Sequence, residues 1–155
     1  MPASTTVNQE TVSSLTIHQE IAIGAPIEIA WEAVLDQMGP KCEMPGGMPF
    51  PFTLEAWPGG RLYRDLGKSS GHLWGHVQVI KPPKILEIWG PMMMSYPAVN
   101  HIQYRLTADG AGTRLELTHR AMGLIEADHR DNLSKGFEFW IQRMKLLAEA
   151  HSSKR

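Results

Sequence analysis

His119 stands near the end of an alternating run, Thr113-Arg114-Leu115-Glu116-Leu117-Thr118-His119-Arg120. As an extended strand, this run places Leu115, Leu117 and His119 on one face and Arg114, Glu116, Thr118 and Arg120 on the other. An imidazole thus takes the place of a third leucine. On an apolar face it can hydrogen-bond a ligand carbonyl or hydroxyl, or accept a proton as a general base. A core histidine satisfied by a backbone carbonyl or a tyrosine accounts for the same pattern. Tyr104 shares its face with Ile102 and Leu106 in the preceding alternating run, which puts its hydroxyl within prospect of His119 across a hairpin. A Tyr-His pair can orient the polar end of a ligand in an apolar pocket, or simply stiffen a core.

Three further groups invite chemistry. Phe137, Trp140 and Met144 recur at three- and four-residue steps, with Leu133, Leu147 and Ala148 completing one helical stripe. Aromatic and thioether surfaces suit flat or irregular apolar ligands, and such a stripe also serves as plain core. His72, Trp74 and His76 alternate onto one strand face, opposite Leu73, Val77 and Val79. Two imidazoles at that spacing can share a metal if a third ligand, such as His101, joins them; no carboxylate accompanies them locally, and no metal site is assigned. With Val77 and Val79 facing the core, the trio lies on the outer surface, and an exposed Trp74 would mark a partner contact or a homodimer. Met92-Met93-Met94, after Gly90-Pro91, can line an entrance or a protein contact. Cys42 has Lys41 beside it to favour a thiolate modestly, but no neighbouring histidine to make it a nucleophile.

No Ser/His/Asp order, phosphate loop or HExxH sequence is present, and no cofactor is implied. Fifteen Lys and Arg against sixteen Asp and Glu give no field to gather nucleic acid or an anionic membrane. The single cysteine excludes an intrachain disulfide, which fits a reducing compartment, the cytoplasm. Residues 1–14 have neither the basic start nor the apolar run of a signal peptide and read as a flexible tail; residues 15–155 then form one domain. No stretch is apolar enough to insert into a membrane.

The elements that must hold these groups follow from periodicity. Leu15 to Ile23 alternates as a half-buried strand, and Gly24-Ala25-Pro26 leads into a short helix in which Ile27, Ala30, Trp31, Val34 and Leu35 share a face. Gly39 to Phe52, rich in proline and glycine, is irregular. Strands are expected at 52–57, 61–66, 72–80, 85–89, 99–107 and 113–120, separated by Gly and Pro turn signals, and a long amphipathic helix at 126–150. The plan is α+β: a curved antiparallel sheet of about seven strands wrapped around a long C-terminal helix, with a short helix after the first strand.

Several segments in this order resemble the START-like, or SRPBCC, helix-grip superfamily, in particular its branch of homologues of the activator of the heat-shock-protein-90 ATPase. They are Ala25-Pro26-Ile27-Glu28-Ile29-Ala30-Trp31, Trp57-Pro58-Gly59-Gly60-Arg61, Gly75-His76-Val77 leading to Lys81-Pro82-Pro83-Lys84-Ile85-Leu86, Gly112 to His119, and Gly136-Phe137. The resemblance spans about residues 15–150. It implies the same helix-grip fold, with a cavity between sheet and terminal helix.

Three functions are open on this reading. The first is non-enzymatic binding of a small hydrophobic or amphipathic molecule, lipids included, against Ile102, Tyr104, Leu117, His119, Phe137, Trp140 and Met144. The second is an enzyme of the cyclase, aromatase or hydrolase kind, with His119 as acid or base and Arg64 as a second polar group if it faces inward. The third is a co-chaperone-like interaction module that presents Trp74, Trp89 and the methionine loop to a chaperone partner.

Overall fold

The computed structural model describes residues 2–154; Met1, the first residue of the expected tail, and Arg155, the last of the expected domain, lie outside the described residues. The first strand, β1 (Ser13–Ile23), starts two residues earlier than the alternation of apolar residues suggests. Helix α1 (Ile27–Gln37) follows, then β2 (Glu43–Met44), β3 (Met48–Pro49), β4 (Thr53–Leu54), β5 (Arg61–Gly67), β6 (Ser70–Lys81), β7 (Ile85–Gly90), β8 (Ala98–Asp109), β9 (Gly112–Gly123) and helix α2 (Ala127–Ser153). Seven strands form one antiparallel sheet in the order β1-β9-β8-β7-β6-β5-β4. The α+β plan read from the sequence is the plan observed.

Strand alternation holds wherever the ladder is regular. From β1, Leu15, Ile17, Gln19 and Ile21 turn toward the helix side while Thr16, His18 and Glu20 face water. Gln19 interrupts that apolar series, and its amide ties strand to helix by donating to the Ser134 carbonyl at 2.8 Å. From β9, Leu115, Leu117 and His119 are buried. Helix α1 opens after Pro26, whose carbonyl accepts from the Ile29 and Ala30 amides, with Glu28 suitably placed in the positive first turn. Helix α2 buries Leu133, Phe137, Trp140, Ile141, Met144 and Ala148, one stripe along a rod about 40 Å long.

Two expectations are corrected. The strand anticipated over 52–57 shrinks to Thr53–Leu54, because Pro51 and Pro58 bracket it and proline cannot donate to a ladder. The irregular 39–52 segment contains a two-residue hairpin, β2 with β3, turning through Gly46 and Gly47, both with positive φ.

Strand β6 leaves regular register beside β5. Leu62 pairs with Gly75 and Tyr63 with Leu73, so Trp74 is a bulged residue opposite no partner. The close approach of neighbouring chain requires glycine here. A Cβ on Gly75 would lie 2.5 Å from the Trp89 carbonyl oxygen, and one on Gly90 2.5 Å from that of Trp74. The Trp74 carbonyl is satisfied outside the ladder by the Met92 amide at 2.8 Å.

Candidate functional site

The bulge decides where the aromatic side chains go. It inverts the alternation between Trp74 and Val77, so both are buried, each 2% exposed. Trp74 is therefore not the outer-surface residue that strict alternation with Val77 implies. Its indole meets Phe52 edge-on at 4.7 Å and lies nearly parallel to Trp140 at 6.0 Å, while Trp140 meets Phe137 at 5.6 Å. Sheet, loop and helix each supply one wall of this aromatic cluster.

A groove of about 170 Å³ opens against it. Its apolar lining is Trp74 from the bulge, Leu133, Phe137 and Trp140 from α2, Met44 from the small hairpin and Met93 from the loop after β7. Gly136 completes the helix wall, and a Cβ added there would meet nothing within 4 Å. A glycine in a helix interior costs about 0.5–1 kcal/mol relative to alanine. Here it leaves the groove deeper by one side chain. His129 and Asn132, from the first two turns of α2, also line it, yet the lining surface is almost wholly apolar. Tyr96 is bonded to His129, its hydroxyl 2.6 Å from Nδ1.

Of the seven residues singled out from the sequence, Phe137 and Trp140 line this groove. Ile102, Tyr104, Leu117, His119 and Met144 are buried beyond it, in the packed interior. Tyr104 does not reach His119: it sits opposite Leu117 in the ladder, and its hydroxyl donates to the Met38 sulfur at 3.3 Å. Burial raises its pKa strongly.

His119 has a different partner. Asn100, also inward on β8, donates its amide hydrogens toward the Gly90 and Pro91 carbonyls and the Met94 sulfur. Its Oδ1 is thereby turned to His119 and accepts from Nε2–H at 2.6 Å. Nδ1 is then the unprotonated nitrogen, and it has no partner among the described residues. The ring packs on Phe137 at 4.7 Å between centroids. Burial pushes the imidazole down to about 4, with His101 and His129 adding charge repulsion, so it is neutral near pH 7. The signal for Asn100 was present in the sequence, since it shares strand parity with Ile102 and Tyr104. Tyr96, His129 and Asn132 had no such signal.

The remaining candidates are placed as follows. Burial pushes the Cys42 thiol up to about 12, and Lys41 is drawn to Asp36 at 3.3 Å, so the expected help toward a thiolate is absent. The Arg64 guanidinium lies 3.5 Å from the Phe50 ring centroid and its Nε donates to the Pro51 carbonyl at 3.4 Å. His76 leans on the Gly59 carbonyl and His101 on Glu87, with the Trp89 strand between them, so His72, His76 and His101 do not converge. Among the described residues, the one three-residue cluster able to share an ion is His18, Glu20 and Glu116. The Arg114 guanidinium already bridges its two carboxylates, at 2.5 and 3.1 Å. Met92 and Met94 are buried, so of the anticipated exterior patch Trp89 is the large exposed member, at 47%. No helix among the described residues is long and apolar enough to cross a membrane.

Fold and site together define an α+β protein in which a bent antiparallel sheet grips a long C-terminal helix beside a small apolar groove. No protein-family model matches the chain, and no curated protein matches it. Solved structures do. An uncharacterised protein from Rhizobium leguminosarum superposes with a TM-score of 0.69 at 17% identity, covering 92% of this chain and 99% of that one. CalU16 from Micromonospora echinospora gives 0.57 at 22% identity, over 86% of this chain and 72% of its own. DynU16, from the dynemicin biosynthetic locus, gives 0.61 at 16% identity, over 90% of this chain and 49% of its own. At these identities the likeness is one of fold.

Proposed function

We propose that the protein is a non-enzymatic binder of a small apolar molecule, held in the groove between bulge and helix, and that it is a member of the START-like helix-grip superfamily. The observation that carries this reading is the open space over Gly136 between two tryptophans and a phenylalanine. About 170 Å³ is below the roughly 300–1,000 Å³ of common ligand pockets, which favours a compact occupant such as a one- or two-ring aromatic or a short acyl chain. The biosynthetic locus of DynU16 is consistent with small-molecule work on this fold. An acid-base role for His119 gains no support from the arrangement. The residue does not line the groove, Phe137 packs against its ring, and Nε2 is engaged by Asn100.

The test is a tryptophan-fluorescence titration with naphthalene, paired with native mass spectrometry of freshly purified protein. Wild type should show saturable quenching, since Trp74 and Trp140 line the site. Gly136→Leu, whose side chain enters open space, should bind at least about tenfold more weakly while melting as cooperatively as wild type. Equal binding by the leucine variant, or no saturable binding by wild type, rejects the groove as the site.

A further inference from the structure

The face of the sheet away from α2 carries a second cleft, of about 430 Å³, across β1, β9 and β8. Ser14, Thr16, Val99, His101, Arg120 and Met122 line it. Val99 stands opposite Met122 in the ladder, and Trp89, opposite His101, is the diagonal neighbour of Val99 on the same face. These three apolar side chains are each about half exposed, so they form one uncovered patch beside the cleft. His101 is held by Glu87, whereas Arg120 belongs to no ion pair among the described residues.

The chain itself carries a matching segment. Residues 2–12 form neither helix nor strand and are exposed throughout, Val7 at 89% and Val12 at 69%. The ladder of β1 starts at Ser13 opposite Gly123, the last residue of β9, so the tail leaves past the end of the sheet. To reach the cleft of its own copy it would have to reverse just before Ser13, where Gln9-Glu10-Thr11-Val12 offers no glycine, proline, asparagine or aspartate for the turn. The β-branched Thr11 and Val12 favour extended backbone instead. When extended, Glu10 and Val12 share a face about 7 Å apart, the spacing that separates Arg120 from Met122 on β9. Glu10, like Arg120, belongs to no ion pair among the described residues. An acid and an apolar side chain on the tail thus match a base and an apolar side chain in the cleft.

We propose that the protein forms a dimer by exchanging these tails: the Glu10–Val12 segment of each copy lies in the outer-face cleft of the other, with Val12 on Val99 and Met122 and with Glu10 against Arg120. The exchange is reciprocal, so two copies related by a two-fold axis satisfy both clefts and leave none open for a third. Trp89 borders the seated tail. The interface is on the opposite face of the sheet from the groove beside Trp74, and it stands whether or not that groove holds a ligand.

The experiment is analytical ultracentrifugation of the full chain, as wild type, Glu10→Arg and Arg120→Glu, each alone and with the two variants mixed in equal amounts. Wild type should dimerise in the micromolar range expected of a small interface. Either charge reversal alone places like charges together twice per dimer and should weaken association at least about tenfold. Both positions are exposed, so both variants should melt as wild type does. In the mixture every tail charge again meets its opposite, and the mixed dimer should form with the affinity of wild type. A wild type that stays monomeric up to millimolar concentration overturns the proposal, as do variants that dimerise as tightly as wild type. A mixture that associates no better than its separate components overturns the exchange of tails.

Discussion

The two halves of helix α2 face different surroundings, although one apolar stripe runs through both. The C-terminal half, with Met144 and Ala148, lies against α1 and the end of β1; Ile29, Ala33 and Leu147 line a cleft of only about 50 Å³ along the α1 seam. Met144 and Ala148 are completely buried. The N-terminal half, from Leu133 to Trp140, is faced by Trp74 of the bulge, by Met44 of the small hairpin and by Met93 of the loop after β7. Loops lack the regular surface that packs ridge against groove, and space remains where they cross. The groove follows from what covers the helix, since both halves bury apolar side chains, Leu133, Phe137 and Trp140 in one and Ile141, Met144 and Ala148 in the other.

Substitutions can break or sharpen this contrast. The largest effect should come from Met144→Ala, at about 2–5 kcal/mol of unfolding free energy, because rigid neighbours on both sides cannot collapse into the gap. Leu133→Ala, beside space that already exists, should fall about 1 kcal/mol or more below it. Urea denaturation of the two variants measures the difference, and equal losses would mean that the halves are equally packed.

The next effect is titration of the closed side. Native His119 takes up its proton only near pH 4, whereas the unfolded chain does so at about 6.5. The unfolded state therefore binds more protons between those values, and stability falls as pH drops from about 6.5 to about 4, by about 3 kcal/mol in total. Above about 6.5 this contribution is constant. Denaturation curves of wild type and His119→Gln across that window should differ in slope, the glutamine variant being the flatter. Parallel curves would place the imidazole in contact with water.

The smallest effect lies on the open side. Gly136→Ala should raise stability by about 0.5–1 kcal/mol, because alanine loses less backbone entropy in a helix and its methyl meets no atom. Thermal melts should rise by about 1–4 °C. A drop would mean that the position is already crowded.

Much of this architecture can be read in the order of residues. The alternation in β1, β8 and β9 and the stripe on α2 identify which faces are inward, and they place His119, Tyr104 and Phe137 correctly with respect to the interior. Strict alternation fails at Trp74, where one unpaired residue changes the side to which the following side chains point. The glycines at 75 and 90 mark a close approach, yet neither reveals that the chain gains a residue there. The Tyr96–His129 contact joins positions 33 residues apart, through a loop with no repeating pattern to extrapolate.

The chain order alone specifies an antiparallel sheet, its inward faces and the helix that closes it, because those features repeat every two or every 3.6 residues and each repeat reinforces the last. The site depends on events that occur once: a bulge in β6, two loops crossing the same half of α2, and the hydrogen bonds that Asn100 and Tyr96 make to histidines. Such meetings depend on how the whole molecule closes, since each one joins surfaces whose relative position is set only when sheet and helix have packed.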